Sequence, residues 1–206
     1  MPDSPTQQSA MTIAAMVSAS AVAQALYAAV RLDLPDLLAV GPASTTDLAA
    51  RAGCDAPTLQ RLLRALAAAG VCIEHADGTF TLAELGQPLR RDVDGSVRSV
   101  VLHWAGPMWS VWGRLFHTVK TGQNPRALVT RKDTFESLGQ HTEADRVFNT
   151  AMSEMSALVA TSVASLVSFA PGSRLCDIGG GQGHLLATLL SANPTCSGIL
   201  FDRPQV

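Results

Sequence analysis

The hydrophobic positions of this chain predict helices first and two short strands near the end. Ala10–Val30 is mostly apolar and contains no charged residue, which indicates a helix that is apolar on most of its faces. A second helix is predicted from an apolar face at helical spacing, formed by Leu59, Leu62, Leu63 and Leu66. Near the end, Leu175–Ile178 and Gly198–Phe201 have the apolar character of strands. The pattern therefore predicts a largely helical protein whose last segment begins an α/β architecture.

The apolar surface of the uncharged first helix must be buried against another structure. The first ten residues contain no Lys or Arg, so a secretory signal is disfavoured. A membrane span is disfavoured because alanine dominates and polar residues interrupt the run, namely Thr12, Ser18, Ser20 and Gln24. We expect a partner subunit to cover this helix and thus predict a homodimer. The alternatives are burial within its own chain and contact with a membrane.

A compact module follows the first helix. The run Ser44–Asp47 offers several hydroxyls that could cap one helix, Asp55 is predicted to cap the next, and Gly70 ends the second helix. Val71–Glu74 and Thr79–Leu82 then read as the strands of a hairpin. Helix, turn, helix and hairpin in this order predict a winged-helix module.

Winged helices often bind DNA, but the charge of this module argues against it. Residues 31–92 contain six arginines and eight acidic residues, whereas a DNA-binding surface needs a basic face. The whole chain has a net charge of −2. We therefore expect no nucleic-acid partner and favour a structural or dimerising role.

The middle of the chain is predicted to be helical and rich in aromatic residues. Between Ser96 and Val119, Gly106–Pro107 should divide two helices. The aromatic side chains of this stretch, Trp109 among them, either pack in a core or line a pocket for an aromatic substrate. A capping box at Thr142 should then open a long helix that ends at about Phe169. The predicted inner stripe of this helix is Phe148, Ala151, Met152, Met155, Leu158 or Val159, Ser162 and Leu166.

A glycine-rich loop carries the clearest chemical signal. Its sequence, Asp177-Ile-Gly-Gly-Gly-Gln-Gly183, follows the first predicted strand and precedes a helix, and Asp202 follows the second strand. Bare backbone lets a ligand approach closely, and an acid about 20 residues downstream can bind both ribose hydroxyls. A phosphate-binding loop would need a lysine, and the dinucleotide fingerprint would need Gly or Ala where the chain has His184. The spacing predicts a nucleoside cofactor other than a dinucleotide.

The combined segments resemble the small-molecule O-methyltransferases of the caffeate, hydroxyneurosporene and anthracycline type. The resemblance rests on the predicted dimerisation and winged-helix segments, the glycine loop, and three further motifs: Trp112–Leu115 with Lys120–Gly122, Phe148–Met152, and Phe201–Pro204. It implies S-adenosylmethionine as cofactor and a small hydroxyl compound as methyl acceptor. It also implies a cytoplasmic enzyme without a metal.

The resemblance also implies roles for individual residues. The cofactor-binding set is Asp177, Gly179, Gly181, Gly183 and Asp202. The substrate-pocket set is Phe148 and Met152, to which we add Trp109 as the aromatic candidate. The family's catalytic base lies beyond Val206, so we name none among the five histidines and expect the 206-residue chain to be inactive by itself.

The expected architecture has three parts. Residues 1–95 form a mainly α dimerisation domain containing the winged helix, and residues 96–170 form a helical linker with the acceptor pocket. Residues 171–206 form the start of an α/β Rossmann-like methyltransferase domain, truncated at its carboxyl end. The alternative to an enzyme is a dimeric regulatory or interaction module with a vestigial cofactor motif.

Overall fold

The computed structural model describes residues 5–130 and 143–203, which fall into two compact units. The first unit is Met1–Val93 and the second is Asp94–Val206. The second unit contains both the predicted linker helices and the glycine loop. The three-part division with its boundaries at 95 and 170 stays a prediction.

The first unit combines four α-helices, one 3₁₀-helix and a small antiparallel sheet among its described residues. The helices are α1 (Pro5–Arg31), α2 (Leu34–Ala39), α3 (Thr45–Ala52), α4 (Ala56–Ala68) and the 3₁₀-helix Glu84–Leu89. The strands are β1 (Ala43–Ser44), β2 (Cys72–Glu74) and β3 (Thr79–Leu82). The strand order is β1-β3-β2. The predicted hairpin is confirmed, whereas β1 was missed because two residues are too few to show alternation.

The predicted cap at Asp55 is confirmed, and Ser44 is the residue of the run 44–47 that caps the helix before it. The Ser44 hydroxyl accepts a hydrogen bond from the Asp47 N–H at 3.1 Å, and the Asp55 carboxylate accepts one from the Thr58 N–H at 2.9 Å. Each bond satisfies an N–H that has no partner within its own helix. The predicted leucine face of α4 is largely confirmed, since Leu59, Leu63 and Leu66 are buried. Leu62 is only half-buried.

The first helix is exposed over most of its length. Met16 and Val17 keep 66% and 68% of their surface exposed, and burial is complete only near the end, at Ala29 and Val30. The described residues of the first unit cover only the end of α1, and what covers the rest of the helix stays a prediction. By length and composition Thr6–Arg31 could also cross a membrane, a test that signal sequences and core helices pass too.

The second unit contains six helices and a parallel two-stranded sheet among its described residues. The helices are α5 (Arg98–Trp104), α6 (Pro107–Trp112), α7 (Leu115–Thr121), α8 (Pro125–Thr130), α9 (Glu143–Leu166) and α10 (His184–Ala192). The break at Gly106–Pro107 is confirmed, but a further break at Gly113–Arg114 divides the second predicted helix. The predicted cap at Thr142 lies outside the described residues.

The long helix α9 is less buried than its pattern predicted. Ala151 and Ala160 are buried, while Leu158, Val159 and Leu166 keep 57%, 52% and 84% of their surface exposed. The helix also ends at Leu166 instead of the predicted Phe169. The periodicity identified the helix correctly. Which of its faces is covered depends on the neighbouring helices α5 and α10, which pack against it.

The two strands that carry the glycine loop form a β-α-β unit. Strand β4 (Arg174–Ile178) pairs in parallel with β5 (Ser197–Phe201), and α10 connects them. A Cβ on Gly198 would lie 2.7 Å from Leu190 Cδ1, so glycine lets α10 pack closely on the sheet. Because both strands run the same way, the loop after β4 and Asp202 after β5 meet at one edge of the sheet.

Candidate cofactor and acceptor site

The glycine loop has a backbone that other residues would strain. Gly179 and Gly181 have φ angles of +74° and +60°, in the left-handed region that side chains with a Cβ disfavour. Gly180 is required for a different reason. A Cβ there would lie 2.4 Å from Asp177 Cγ and 2.6 Å from Leu200 Cδ1, so no larger residue fits without movement. Glycine is therefore favoured at three consecutive positions, at Gly179 and Gly181 by the backbone angle and at Gly180 by the lack of space for a Cβ.

Gly183 lies at the point where the loop enters helix α10. It is buried at the N-cap of α10, and its Cβ would lie 2.9 Å from Leu200 Cδ2. It does not line the cavity described below, in contrast to Gly179 and Gly181. In the structure it shapes the turn into the helix, and its predicted contact with the cofactor stays a prediction.

Asp202 is tied to the loop by backbone hydrogen bonds. Its Oδ2 accepts one from the Gly181 N–H at 2.7 Å, and its Oδ1 accepts one from the Arg203 N–H at 2.7 Å. The bond from Arg203, then the bond from Gly181, lower the pKa of the Asp202 carboxyl below its ordinary value. The side chain is thus held as a carboxylate, and its remaining lone pairs can accept hydrogen bonds from a ligand.

A cavity of about 560 Å³ lies between the glycine loop, Asp202 and helix α9. Its size is in the range of small-molecule sites. Six predicted residues line it: Phe148, Met152, Asp177, Gly179, Gly181 and Asp202. Trp109 lies on α6, 42% exposed and outside this lining. The structure therefore brings the cofactor and acceptor residues together, except for Gly183 and Trp109.

Helix α9 lines the cavity with two rows of side chains that differ in polarity. The apolar row is Phe148, Met152 and Met155. The polar row is Asn149, Ser153 and Ser156. Each row repeats at i, i+4 and i+7, so the two rows lie side by side on adjacent faces of the helix. The polar row was not among the residues predicted from the sequence, although its spacing was a signal that could have revealed it.

One hydrogen bond joins the polar row to the glycine loop. The Ser153 hydroxyl donates to the Gln182 Oε1 at 3.1 Å. Gln182 follows Gly181, whose N–H is bonded to Asp202. Gly181 and Gln182 follow each other in the loop, yet Gly181 is hydrogen-bonded to Asp202 and Gln182 is hydrogen-bonded to helix α9 on the other side of the cavity.

Helix α5 supports α9 from the side of the apolar row. The Glu154 carboxylate accepts hydrogen bonds from the Ser99 and Val100 N–H groups at 3.1 and 2.9 Å, which caps the start of α5. Near the end of α5, the buried His103 ring meets the Phe148 ring edge-on, with centroids 5.2 Å apart. Burial, and secondarily the charge of Arg126, lower the pKa of His103. His103 therefore packs against Phe148 as a neutral ring.

This arrangement fits a nucleoside ligand that lacks phosphate. A carboxylate suited to a ribose diol stands at the end of β5, and the loop offers bare backbone. The α9 wall adds thioether and aromatic groups that suit a soft sulfonium or a flat acceptor. A β-α-β unit with this loop and this wall is the arrangement expected of an S-adenosylmethionine-dependent methyltransferase.

Comparison with known proteins gives the same assignment. Residues 14–91 match the O-methyltransferase dimerisation domain, and residues 112–206 match the O-methyltransferase domain. The chain therefore belongs to the O-methyltransferase family. The predicted fold class and cofactor of the family are thereby confirmed.

Relatives cover the chain almost completely. It is 36% identical to the phenazine O-methyltransferase PhzM of Lysobacter antibioticus over 191 residues, which are 93% of this chain and 56% of that protein. It is 39% identical to the 8-amino-8-demethylriboflavin N,N-dimethyltransferase of Streptomyces davaonensis over 188 residues, 90% of this chain and 54% of that protein. The chain thus spans about half the length of the curated relatives it matches.

Solved structures agree with the fold. The crystal structure of LaPhzM superposes with a TM-score of 0.90 at 35% identity and covers 96% of this chain and 59% of that one. The NcsB1 O-methyltransferase from neocarzinostatin biosynthesis was solved with S-adenosylmethionine and a naphthoic acid. It superposes with a TM-score of 0.73 at 30% identity, covering 90% of this chain and 57% of that one.

Proposed function

We propose that the protein containing this chain transfers a methyl group from S-adenosylmethionine to a hydroxyl group of a small aromatic compound. The observation that carries the proposal is the shared cavity. Asp202 and the glycine loop form one side of it, and Phe148 and Met152 form the facing wall. One pocket can therefore hold a nucleoside cofactor against an apolar acceptor.

Each part of this chain has a separate task in the proposed reaction. When bound, S-adenosylmethionine supplies an electrophilic methyl group on a positively charged sulfur. Asp202 accepts hydrogen bonds from the ribose hydroxyls, and the backbone of Gly179 and Gly181 lets the cofactor approach. Phe148 and Met152 hold the acceptor and exclude water, so that positioning and desolvation provide the rate enhancement.

The proposal also specifies that oxygen is the atom that accepts the methyl group. Both O- and N-methyltransferases occur among the relatives, so the fold accommodates either chemistry. The match of residues 112–206 to the O-methyltransferase domain supports oxygen. An aromatic acceptor is supported by the ring and thioether groups of the apolar row.

Calorimetry on the full-length protein tests the cofactor part of the proposal. We expect S-adenosylhomocysteine, the demethylated product, to bind in the micromolar range or tighter, and NAD to show no measurable heat. A labelled-methyl assay with a panel of phenols and aromatic amines then identifies the acceptor atom. Preference for NAD would contradict the spacing argument for the glycine loop.

We further propose that the protein is a cytoplasmic homodimer in which α1 contributes to the interface. The match of residues 14–91 to a dimerisation domain supports this. The three-stranded sheet with α3 and α4 has the element order of a winged helix, which we assign to dimerisation and not to DNA binding. The exposed apolar side chains of α1 offer a surface of the kind that subunits bury.

Charged residues on α1 should break the dimer. Ile13 and Val17 keep 60% and 68% of their surface exposed and lie one turn apart. In Ile13→Glu/Val17→Glu, we expect a mostly monomeric protein by light scattering, because two buried charges without partners are costly. Ala50→Glu places the same charge on exposed α3 and should leave the dimer intact. An unchanged mass in the double variant would exclude this part of α1 from the interface.

A further inference from the structure

The buried side chain of His103 contacts one wall of the cavity without lining the cavity itself. Only 5% of its surface is exposed, and its ring meets the Phe148 ring edge-on with the centroids 5.2 Å apart. Phe148 lines the cavity, whereas His103 does not. The proposed reaction gives Phe148 a task and His103 none. His103 therefore reaches the site through Phe148.

Helix α5 holds His103 at a fixed place along α9. The Glu154 carboxylate accepts hydrogen bonds from the Ser99 and Val100 N–H groups at the start of α5, and His103 meets Phe148 near its end. Charge-assisted bonds of this kind are among the stronger hydrogen bonds in proteins. Because one contact lies near each end of α5, sliding of this helix along α9 would break both.

The other neighbours of His103 indicate a ring that is packed and uncharged. The Trp104 ring meets it edge-on with the centroids 5.7 Å apart. Burial, and secondarily the charge of Arg126 on α8, lower the pKa of His103, so the ring stays neutral in its ordinary titration range. A flat, neutral ring therefore fills the space next to Phe148.

We propose that His103 is a positioning residue that determines acceptor specificity, because its ring holds Phe148 in the cavity wall and thereby limits the size of the phenol that the pocket accepts. The inference rests on the proposed function and extends it to the choice of substrate. It assigns the limit to a residue on α5 that does not line the cavity, in addition to the lining residues of α9.

The physical reason is the position of Phe148 between the cavity and His103. Phe148 is half-buried, lines the cavity and packs against the His103 ring. Removing a buried ring leaves a void that the surrounding structure fills only in part. Phe148 is the cavity-lining side chain in contact with that void, and its movement into the void enlarges the cavity. Larger acceptors then gain relative to smaller ones.

Two phenols of different size measure this effect on the full-length protein. In His103→Ala, we expect kcat/KM for phenol to fall about tenfold relative to kcat/KM for 2-naphthol, which is the scale of discrimination that apolar pocket shape provides. The ratio is informative because a general loss of folded protein lowers both values equally. The affinity for S-adenosylhomocysteine, measured by calorimetry, should be unchanged, since His103 does not line the cavity.

Matched variants test the route through Phe148. His117→Ala removes an exposed imidazole from α7 and should leave the ratio at its wild-type value. His103→Phe keeps a flat ring against Phe148 and should recover most of the wild-type ratio. In Phe148→Leu the ring contact is already lost, so adding His103→Ala should change the ratio little further.

Each other outcome contradicts a specific statement. An unchanged ratio in a His103→Ala protein that binds S-adenosylhomocysteine normally would overturn the inference and leave the proposed function intact. Additive effects of His103→Ala and Phe148→Leu would overturn it too, because His103 would then act by another route. Loss of S-adenosylhomocysteine affinity in His103→Ala would assign the residue to the stability of the whole unit and not to the acceptor wall.

The wild-type protein separates this inference from the proposed function. If it methylates neither phenol, the inference fails, because it requires a flat phenol beside Phe148. The S-adenosylhomocysteine titration then decides separately whether the cofactor part of the proposed function holds.

Discussion

Replacing Asp202 by Asn should reduce S-adenosylhomocysteine affinity by about 100-fold or more, because a neutral amide cannot accept two charge-assisted hydrogen bonds from the ribose. The same change also removes one of the two carboxylate oxygens that accept hydrogen bonds from the Gly181 and Arg203 N–H groups. The loop and the ligand therefore both lose hydrogen bonds to the same side chain. Isothermal titration calorimetry on the full-length protein measures the effect.

A matched control separates the site from general charge. Asp94 is an exposed acid at the start of the same unit, and Asp94→Asn should bind the ligand as the wild type does. Comparable affinity in Asp202→Asn would remove this carboxylate from the proposed cofactor site. The lowered pKa of Asp202 adds a second check, since binding should persist as pH falls to the ordinary range of an aspartate.

Replacing Gly180 by Ala should abolish measurable binding and lower the stability of the second unit. The added Cβ meets the side chains of Asp177 and Leu200 at less than 3 Å, so these side chains at the loop and at the end of β5 must shift. Overpacking of this kind costs about 1–3 kcal/mol of stability. Denaturant unfolding and calorimetry on the same preparation measure both consequences.

Gly113 provides the control for this glycine. A Cβ there would lie 3.5 Å from the Ser110 and Trp109 carbonyl oxygens, an ordinary contact distance, and its φ of −60° suits alanine. Gly113→Ala should therefore bind normally and be as stable as the wild type or slightly more so. Normal binding in Gly180→Ala would mean that the loop adapts and that its close packing is not required for the site.

Local sequence signals were reliable where neighbours in the chain decide the structure. The caps at Ser44 and Asp55 are bonds to residues three positions away, so residue type and spacing predicted Asp55 and narrowed the other cap to residues 44–47. The glycine loop was predictable for the same reason, because its backbone needs depend on the turn itself. The two-residue strand β1 was not, since it exists through its pairing with β3.

Burial was predicted less well, because it depends on what packs against an element. The apolar patterns of α1 and α9 identified two helices, yet much of each apolar surface is exposed. The same limitation applies to Trp109, whose residue type suits a pocket but whose helix lies outside the lining. Periodicity shows which face is apolar and does not show what covers it.

The sequence by itself determined the class of ligand, because the spacing from Asp177 through the glycines to Asp202 encodes a nucleoside site in a β-α-β unit. Only the tertiary structure decided which wall faces that site. Packing of α9 between α5 and α10 turns both of its rows toward the loop, and it brings Ser153 to Gln182 across 29 positions of the chain. Contacts between residues this distant depend on how helices pack, which no local pattern specifies.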